Sequence, residues 1–126
     1  MSFCTAVNCM DGRVQDPVRE YLLDHFGVRY VDMVTEDGPV RSLASPGDPA
    51  TAASILRRVA LSIDEHGSTS VAVVAHAGCA GNPISDEEQR RQLDESVDRL
   101  AGRFPAVSVL GLWIGEDWTV EPVDRR

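Results

Sequence analysis

Short, continuous apolar runs alternate along this chain with segments whose apolar residues recur at helical spacing. The first run, Phe3 to Cys9, is of the kind that a sheet buries on both faces, and it ends in the turn-forming pair Asp11-Gly12. That pattern predicts a first strand. Asp16 as N-cap and Pro17 at the first helical position then open a helix that buries Val18, Leu22 and Phe26 and stops at Gly27. A second strand is predicted from about Val28 to Val34. The polar stretch Thr35 to Gly47 is long for a strand-to-helix connection, which marks it as a candidate lid or rim. Asp48-Pro49 repeats the cap pairing and starts a helix with Ala52, Leu56, Val59, Ala60 and Ile63 on its apolar face, closed by Gly67. A third strand follows, Ser70 to His76. Ser85 with Glu88 forms a capping box for a third helix, which buries Leu93, Val97, Leu100 and Phe104 before Pro105. Ala106 to Ile114 and Trp118 to Val123, parted by Gly115-Glu116-Asp117, read as a terminal hairpin.

Strands that alternate with amphipathic helices imply an α/β fold: a mostly parallel sheet of about five strands, helices on both faces, the last strand antiparallel. The 126 residues suit one domain, 1–126, with no internal repeat, linker or low-complexity tract. Composition narrows the partners. Lys and Arg number 12 against 20 Asp and Glu, a net charge of −8, and no basic run extends beyond Arg pairs. A phosphate backbone is therefore not the expected partner, because nucleic-acid affinity rests on neutralising phosphates. No apolar run approaches the roughly 20 residues of a membrane span, and the first residues lack the basic and apolar regions of a signal peptide, so a cytoplasmic location is expected. Three cysteines in such a chain point to a metal or a reactive thiol before a disulfide framework.

In open α/β sheets ligands bind beyond the carboxyl ends of the strands, where the winding direction reverses. Two motifs fall at such ends: Cys9-Met10-Asp11-Gly12-Arg13 after the first strand, and His76-Ala77-Gly78-Cys79 after the third. If these strands are neighbours, the motifs face one crevice. Two thiolates and an imidazole form a borderline-soft donor set that suits zinc and leaves a fourth tetrahedral position for water or an acidic side chain. A turn at Ala77-Gly78 lets His76 and Cys79 converge. An extended exit from the first strand, with room given by Gly12, points Cys9, Asp11 and Arg13 the same way. Other residues read as structural. Cys4 belongs to the core. His25 and His66 lie near helix C-termini, where a cation favours the dipole. Trp113 and Trp118 flank the hairpin turn as packing or a subunit contact. No Gly-x-Gly-x-x-Gly or phosphate-loop pattern is present.

Cys-x-Asp-x-Arg followed, 67 residues after its cysteine, by His-x-x-Cys resembles the zinc signature of the β-class carbonic anhydrases. The resemblance implies that Cys9, His76 and Cys79 bind zinc and that Asp11 and Arg13 form a catalytic dyad beside it. It also implies reversible hydration of carbon dioxide to bicarbonate, by a zinc-held hydroxide that Asp11 orients and Arg13 aims. Asp11 as a direct fourth ligand is the alternative. The chain departs from the family pattern in Gly12, where Ser is usual, and in Ala80, where Gly is usual. It also lacks the N-terminal helical arm of larger members, and Thr35 to Arg41 does not match the usual active-site loop. It resembles a minimal, divergent branch, expected as a homodimer or higher homo-oligomer. Two further readings keep the metal: hydrolysis of a carbon dioxide analogue such as carbonyl sulfide or carbon disulfide, and a non-catalytic zinc or redox-sensing module closed by Asp11.

Overall fold

A computed structural model of the chain describes residues 2–123. Five strands form one sheet in the order β2-β1-β3-β4-β5, all parallel except β5, which pairs antiparallel with β4. The elements in chain order are β1 (Phe3–Cys9), a 3-10 turn (Gly12–Val14), α1 (Gln15–Phe26), β2 (Tyr30–Glu36), α2 (Pro39–Leu43), α3 (Pro49–His66), β3 (Ser70–His76), α4 (Asp86–Arg103), β4 (Ser108–Ile114) and β5 (Val120–Pro122). The expected fold class is the one observed. No helix among the described residues is long and apolar enough to cross a membrane.

Alternation along β1 and β3 divides the core in two. Val7, Val71, Val73 and Ala75 point to one face and pack with Ile55 and Val59 of α3 and Leu93, Val97 and Leu100 of α4. Cys4, Ala6, Ala72 and Val74 point to the other and pack with Val14, Val18 and Leu22. The helices are thus on both faces, because the winding reverses between β1 and β3. The chain moves from β1 outward to β2, then returns across the sheet to β3 on β1's other side. Gly111 brings α4 close to β4: a Cβ there would lie 3.1 Å from Val97 Cγ2 and 3.7 Å from Leu93 Cγ.

Several boundaries differ from the sequence reading, each for a local reason. Asp16 is not the cap of α1. The chain enters through the 3-10 turn, Asp11 caps that turn by accepting from the Arg13 N–H, and Asp16 lies within the first turn of the helix. β2 runs Tyr30–Glu36 rather than from Val28, since its start is set by pairing with Phe3 and its end by pairing with Cys9. Residues 35–47 hold α2, so the stretch is less open than its composition suggests. On α3 the fully buried positions are Ala52, Ile55 and Val59, with Leu56, Ala60 and Ile63 only flanking the core. β5 is three residues long, and Trp118 lies in the turn with φ of 63°. The caps were legible: Asp48 accepts from Thr51 N–H, Ser85 accepts from Glu88 N–H, and Gly27 and Gly67 close their helices in the left-handed conformation.

Because Leu93 is fully buried between α4 and the sheet, Leu93→Ala should lower the unfolding free energy by about 2–5 kcal/mol. The check is a urea titration in which the midpoint falls while the slope is kept.

Candidate metal centre

β1 and β3 are hydrogen-bonded neighbours, so the two motifs meet at one end of the sheet. Cys9 and His76 are the last residues of their strands. Cys79 returns to them because Gly78 turns the chain at φ of 66°. All three side chains are buried, and one ligand atom from each lies within 4.8 Å of the others. Among the described residues no other group of His, Cys, Asp or Glu gathers in this way.

The donor geometry fits a tetrahedral ion. With metal–sulfur bonds of about 2.3 Å, two thiolates on one zinc lie about 3.8 Å apart. The Cys9 and Cys79 sulfurs are separated by 3.8 Å. His76 Nδ1 donates to the Ala77 carbonyl at 2.9 Å, which leaves the lone pair on Nε2. Nε2 is buried and has no hydrogen-bond partner, the state of a nitrogen awaiting a cation.

The three groups also act on one another's protonation. The Cys9 thiol is pulled well below the ordinary range by the hydrogen bond from Cys79. Burial opposes this, while His76 and the N–H groups of Asp11 and Gly38 assist. Cys79 is pushed up in turn, since it keeps the shared proton for Cys9 and is buried; the N–H groups of Gly81 and Asn82 oppose. Burial disfavours charge on His76, yet the Cys9 sulfur, the Ala77 carbonyl and Asp11 outweigh it and raise its pKa. Cys4 behaves as an ordinary core thiol, pushed up to about 11 by burial and by Asp32.

Asp11 and Arg13 meet beside this group, although not through an extended exit from β1. The Arg13 guanidinium forks onto the carboxylate, Nε to Oδ1 at 3.0 Å and Nη2 to Oδ2 at 2.7 Å, while the Arg13 N–H reaches Oδ1 at 2.9 Å. The 3-10 turn is what folds Arg13 back. Gly12 is not needed for space, because a Cβ there would touch nothing within 4 Å. Both carboxylate oxygens face Arg13, and Asp11 is outside the Cys-His-Cys group. On its other side the guanidinium stacks on Trp118, 4.6 Å from the ring centroid. Trp118 is therefore a wall of the site, held there by a left-handed backbone that no sequence pattern announced. Trp113 is buried under Arg90 and packs.

Two small cavities flank the group. One, of about 230 Å³, is lined by Cys9, Met10, Asp11, Asp37, Ala80 and Gly81. The other, of about 220 Å³, is lined by Arg13, Ala77, Gly78, Glu116 and Trp118. Larger grooves run past Pro46, but none of the clustered residues lines them. Residues 35–47 act as a rim. A Cβ at Gly81 would lie 2.8 Å from the Asp37 carbonyl carbon, and one at Gly38 would lie 2.8 Å from Asn82 Cβ, so the two loops touch backbone to backbone. His25 stacks on Tyr21 and stays outside the site. His66 belongs to a separate network in which Thr5 donates to Ser62, Ser62 donates to Asp32, and His66 Nδ1 meets the same carboxylate at 2.7 Å. The carboxylate there sits between hydroxyl and imidazole, so no nucleophile–base pair forms.

Sequence reasoning missed two glutamines. Gln89 Nε2 donates to the His76 carbonyl at 2.8 Å, and its Oε1 accepts from the His76 N–H at 3.2 Å. Gln15 Nε2 donates to the carbonyls of Cys9 at 2.7 Å and Asp11 at 2.9 Å. The available signal for Gln89 was its place on the apolar stripe of α4, four residues before Leu93. Gln15 gave none.

Comparison with known proteins places the chain in a family and a fold. A family model described as "Putative carbonic anhydrase" matches residues 1–124, and the chain belongs to that family. Its fold is that of the β-class carbonic anhydrases. The β-carbonic anhydrase isoform I of Trichomonas vaginalis superposes with a TM-score of 0.60 at 16% identity, over 94% of this chain and 80% of that one. The β-carbonic anhydrase CafA of Aspergillus fumigatus gives 0.61 at 13% identity, over 98% and 76%. A carbon disulfide hydrolase in its apo form gives 0.55 at 13% identity, over 93% and 76%. No curated protein sequence matches this chain.

The Asp11 carboxyl is held down at about 2 by hydrogen bonds from Arg13, against an ordinary value of 3.8. The unfolded chain therefore takes up this proton first as pH falls. The pair's contribution to stability is complete above about pH 4 and is lost as pH drops toward about 2. Arg13→Ala should return the folded carboxyl toward its ordinary value and abolish this contribution. A carboxyl-carbon NMR titration of the metal-free protein reads the shift directly.

Proposed function

We propose that this chain is a zinc-dependent carbonic anhydrase that interconverts carbon dioxide and bicarbonate. Cys9, His76 and Cys79 would hold the metal. The observation that carries the reading is the pairing of a sulfur–sulfur separation suited to a tetrahedral ion with a buried, unpartnered Nε2 on His76. Zinc at such a site brings the pKa of water down to about 7, which supplies hydroxide near neutral pH.

The protein's own part is orientation. A carboxylate offers about four acceptor positions, so Asp11 can take the hydroxyl hydrogen of the nucleophile while both oxygens remain bonded to Arg13. Arg13 fixes the plane of that carboxylate by bonding both of its oxygens. Trp118 backs the guanidinium so that the fork does not swing away. The engagement of Asp11 with Arg13 supports a centre whose fourth position is open, over a non-catalytic module that Asp11 closes. Carbon dioxide fits the cavity beside Cys9, whose rim carries Met10 and Ala80.

The same cavity supports a second reading, in which the substrate is carbonyl sulfide or carbon disulfide: these are linear like carbon dioxide, and a carbon disulfide hydrolase shares the fold. The reading takes the chain as a homodimer or higher homo-oligomer, supported by the unpaired outer edge of β2 and the exposed Tyr30 upon it.

The purified protein should carry about one zinc per chain, the stoichiometry of a single Cys-His-Cys site, and Cys79→Ala should lose it. Stopped-flow assays across about pH 6.5 to 9, the window around the ionisation of zinc-activated water, should show carbon dioxide hydration rising with pH. Asp11→Ala should keep its zinc and lose about 100-fold in rate through misplacement of the nucleophile. A zinc-loaded parent inactive on carbon dioxide but active on carbon disulfide establishes the second reading. A parent inactive on both, with activity gained in Asp11→Ala, establishes the closed module.

A further inference from the structure

We propose that Gln89 and Gln15 are positioning residues for the metal centre, each substituting for a missing strand where β1 and β3 part. β1 and β3 stay paired only as far as Val7 and Val73, three residues short of His76. Along a strand, the N–H and C=O of one residue point to the same side, and those of the next residue to the opposite side. The Ala77 N–H donates to Ile114 on the β4 side, so the N–H and carbonyl of His76 face the β1 side, where no strand remains to receive them.

The Gln89 carboxamide fills that gap. It presents one donor and one acceptor, as a peptide group does, and bonds both main-chain groups of His76. Gln89 is 1% exposed. Its partners are buried too, so the pair of bonds cannot be traded for water.

The other strand mirrors this. The Met10 N–H donates to Glu36 on the β2 side, so the polar groups of Cys9 face the same gap. The Cys9 N–H is taken by the side chain of Asn8, and its carbonyl by Gln15. Gln15 also holds the Asp11 carbonyl, so a single amide spans from a proposed metal ligand to the dyad. A donor atom at a strand end is placed by the peptide that bears it. With those peptides unpaired, the Cys9 sulfur and the His76 nitrogen would lose their separation. Such supporting bonds around a metal are worth about 10- to 100-fold in affinity.

This inference rests on the metal centre proposed above, and its test separates the two. Zinc affinity of the full-length parent, Gln89→Met and Gln15→Met is measured by competition with a chromogenic chelator, and the cobalt(II) absorption of each is recorded alongside circular dichroism and unfolding midpoints. Folded variants should bind zinc about 10- to 100-fold more weakly. Their thiolate-to-cobalt and ligand-field bands should also move, because the donor geometry changes. A lower unfolding midpoint with unchanged affinity and spectrum would make the glutamines scaffold only, and would overturn the inference while the metal centre stands. A parent that takes up neither metal overturns both. Should Gln89→Met fail to fold, Gln15→Met, at a half-buried position, carries the same test.

Discussion

The site depends on where two parallel strands stop pairing. β1 and β3 are neighbours through Val7 and Val73, and beyond that point the sheet opens. Cys9, Asp11, Arg13, His76 and Cys79 lie within that opening or on its rim. A pair that continued to the strand ends would fill the crevice with main-chain hydrogen bonds and leave no room for a buried ion. A pair that parted earlier would loosen the sheet beneath α1, where Ala6 and Ala72 are buried. The opening is short enough for two glutamines and an asparagine to satisfy the main chain it exposes.

Charge is distributed on a similar economy. The chain carries a net charge of −8, and the crevice gathers two thiols and a carboxylate with one arginine facing them. Arg13 is spent on Asp11 and on the Trp118 ring, so it does not neutralise the sulfurs. The donor cluster thus keeps an unmet demand for positive charge, seen also in the raised pKa of the buried His76. Backbone N–H groups from three loops, those of Asp11, Gly38, Gly81 and Asn82, spread the remaining negative charge over the sulfurs without supplying a counter-ion.

Much of this was legible beforehand. Strand and helix order followed from apolar periodicity, because β1, β3 and the stripes of α3 and α4 are buried strongly enough to mark the sequence. The meeting of Cys9, His76 and Cys79 followed from donor types at the ends of two strands. What could not be read was governed by tertiary contact. The start of β2 is set by its register with β1. The conformation of Trp118 is set by the turn that holds it on Arg13. The route by which Arg13 reaches Asp11 is a 3-10 turn, where an extended exit was expected. The work of Gln89 is invisible until β3 and α4 are placed together, although a glutamine on an apolar stripe is itself a sign of a buried polar task.

The crossover from β1 to β3 also fixes an order of events. The halves of the donor set are 67 residues apart, and nothing local brings them together. They meet only when β3 docks in parallel beside β1, a step that must meet the entropy of closing a long loop before any contact rewards it. During synthesis the chain therefore emerges with Cys9 long before His76 and Cys79 exist to join it. The complete Cys-His-Cys cluster is thus a property of the finished sheet, and a chain emerged only as far as β2 presents Cys9 without the other two members.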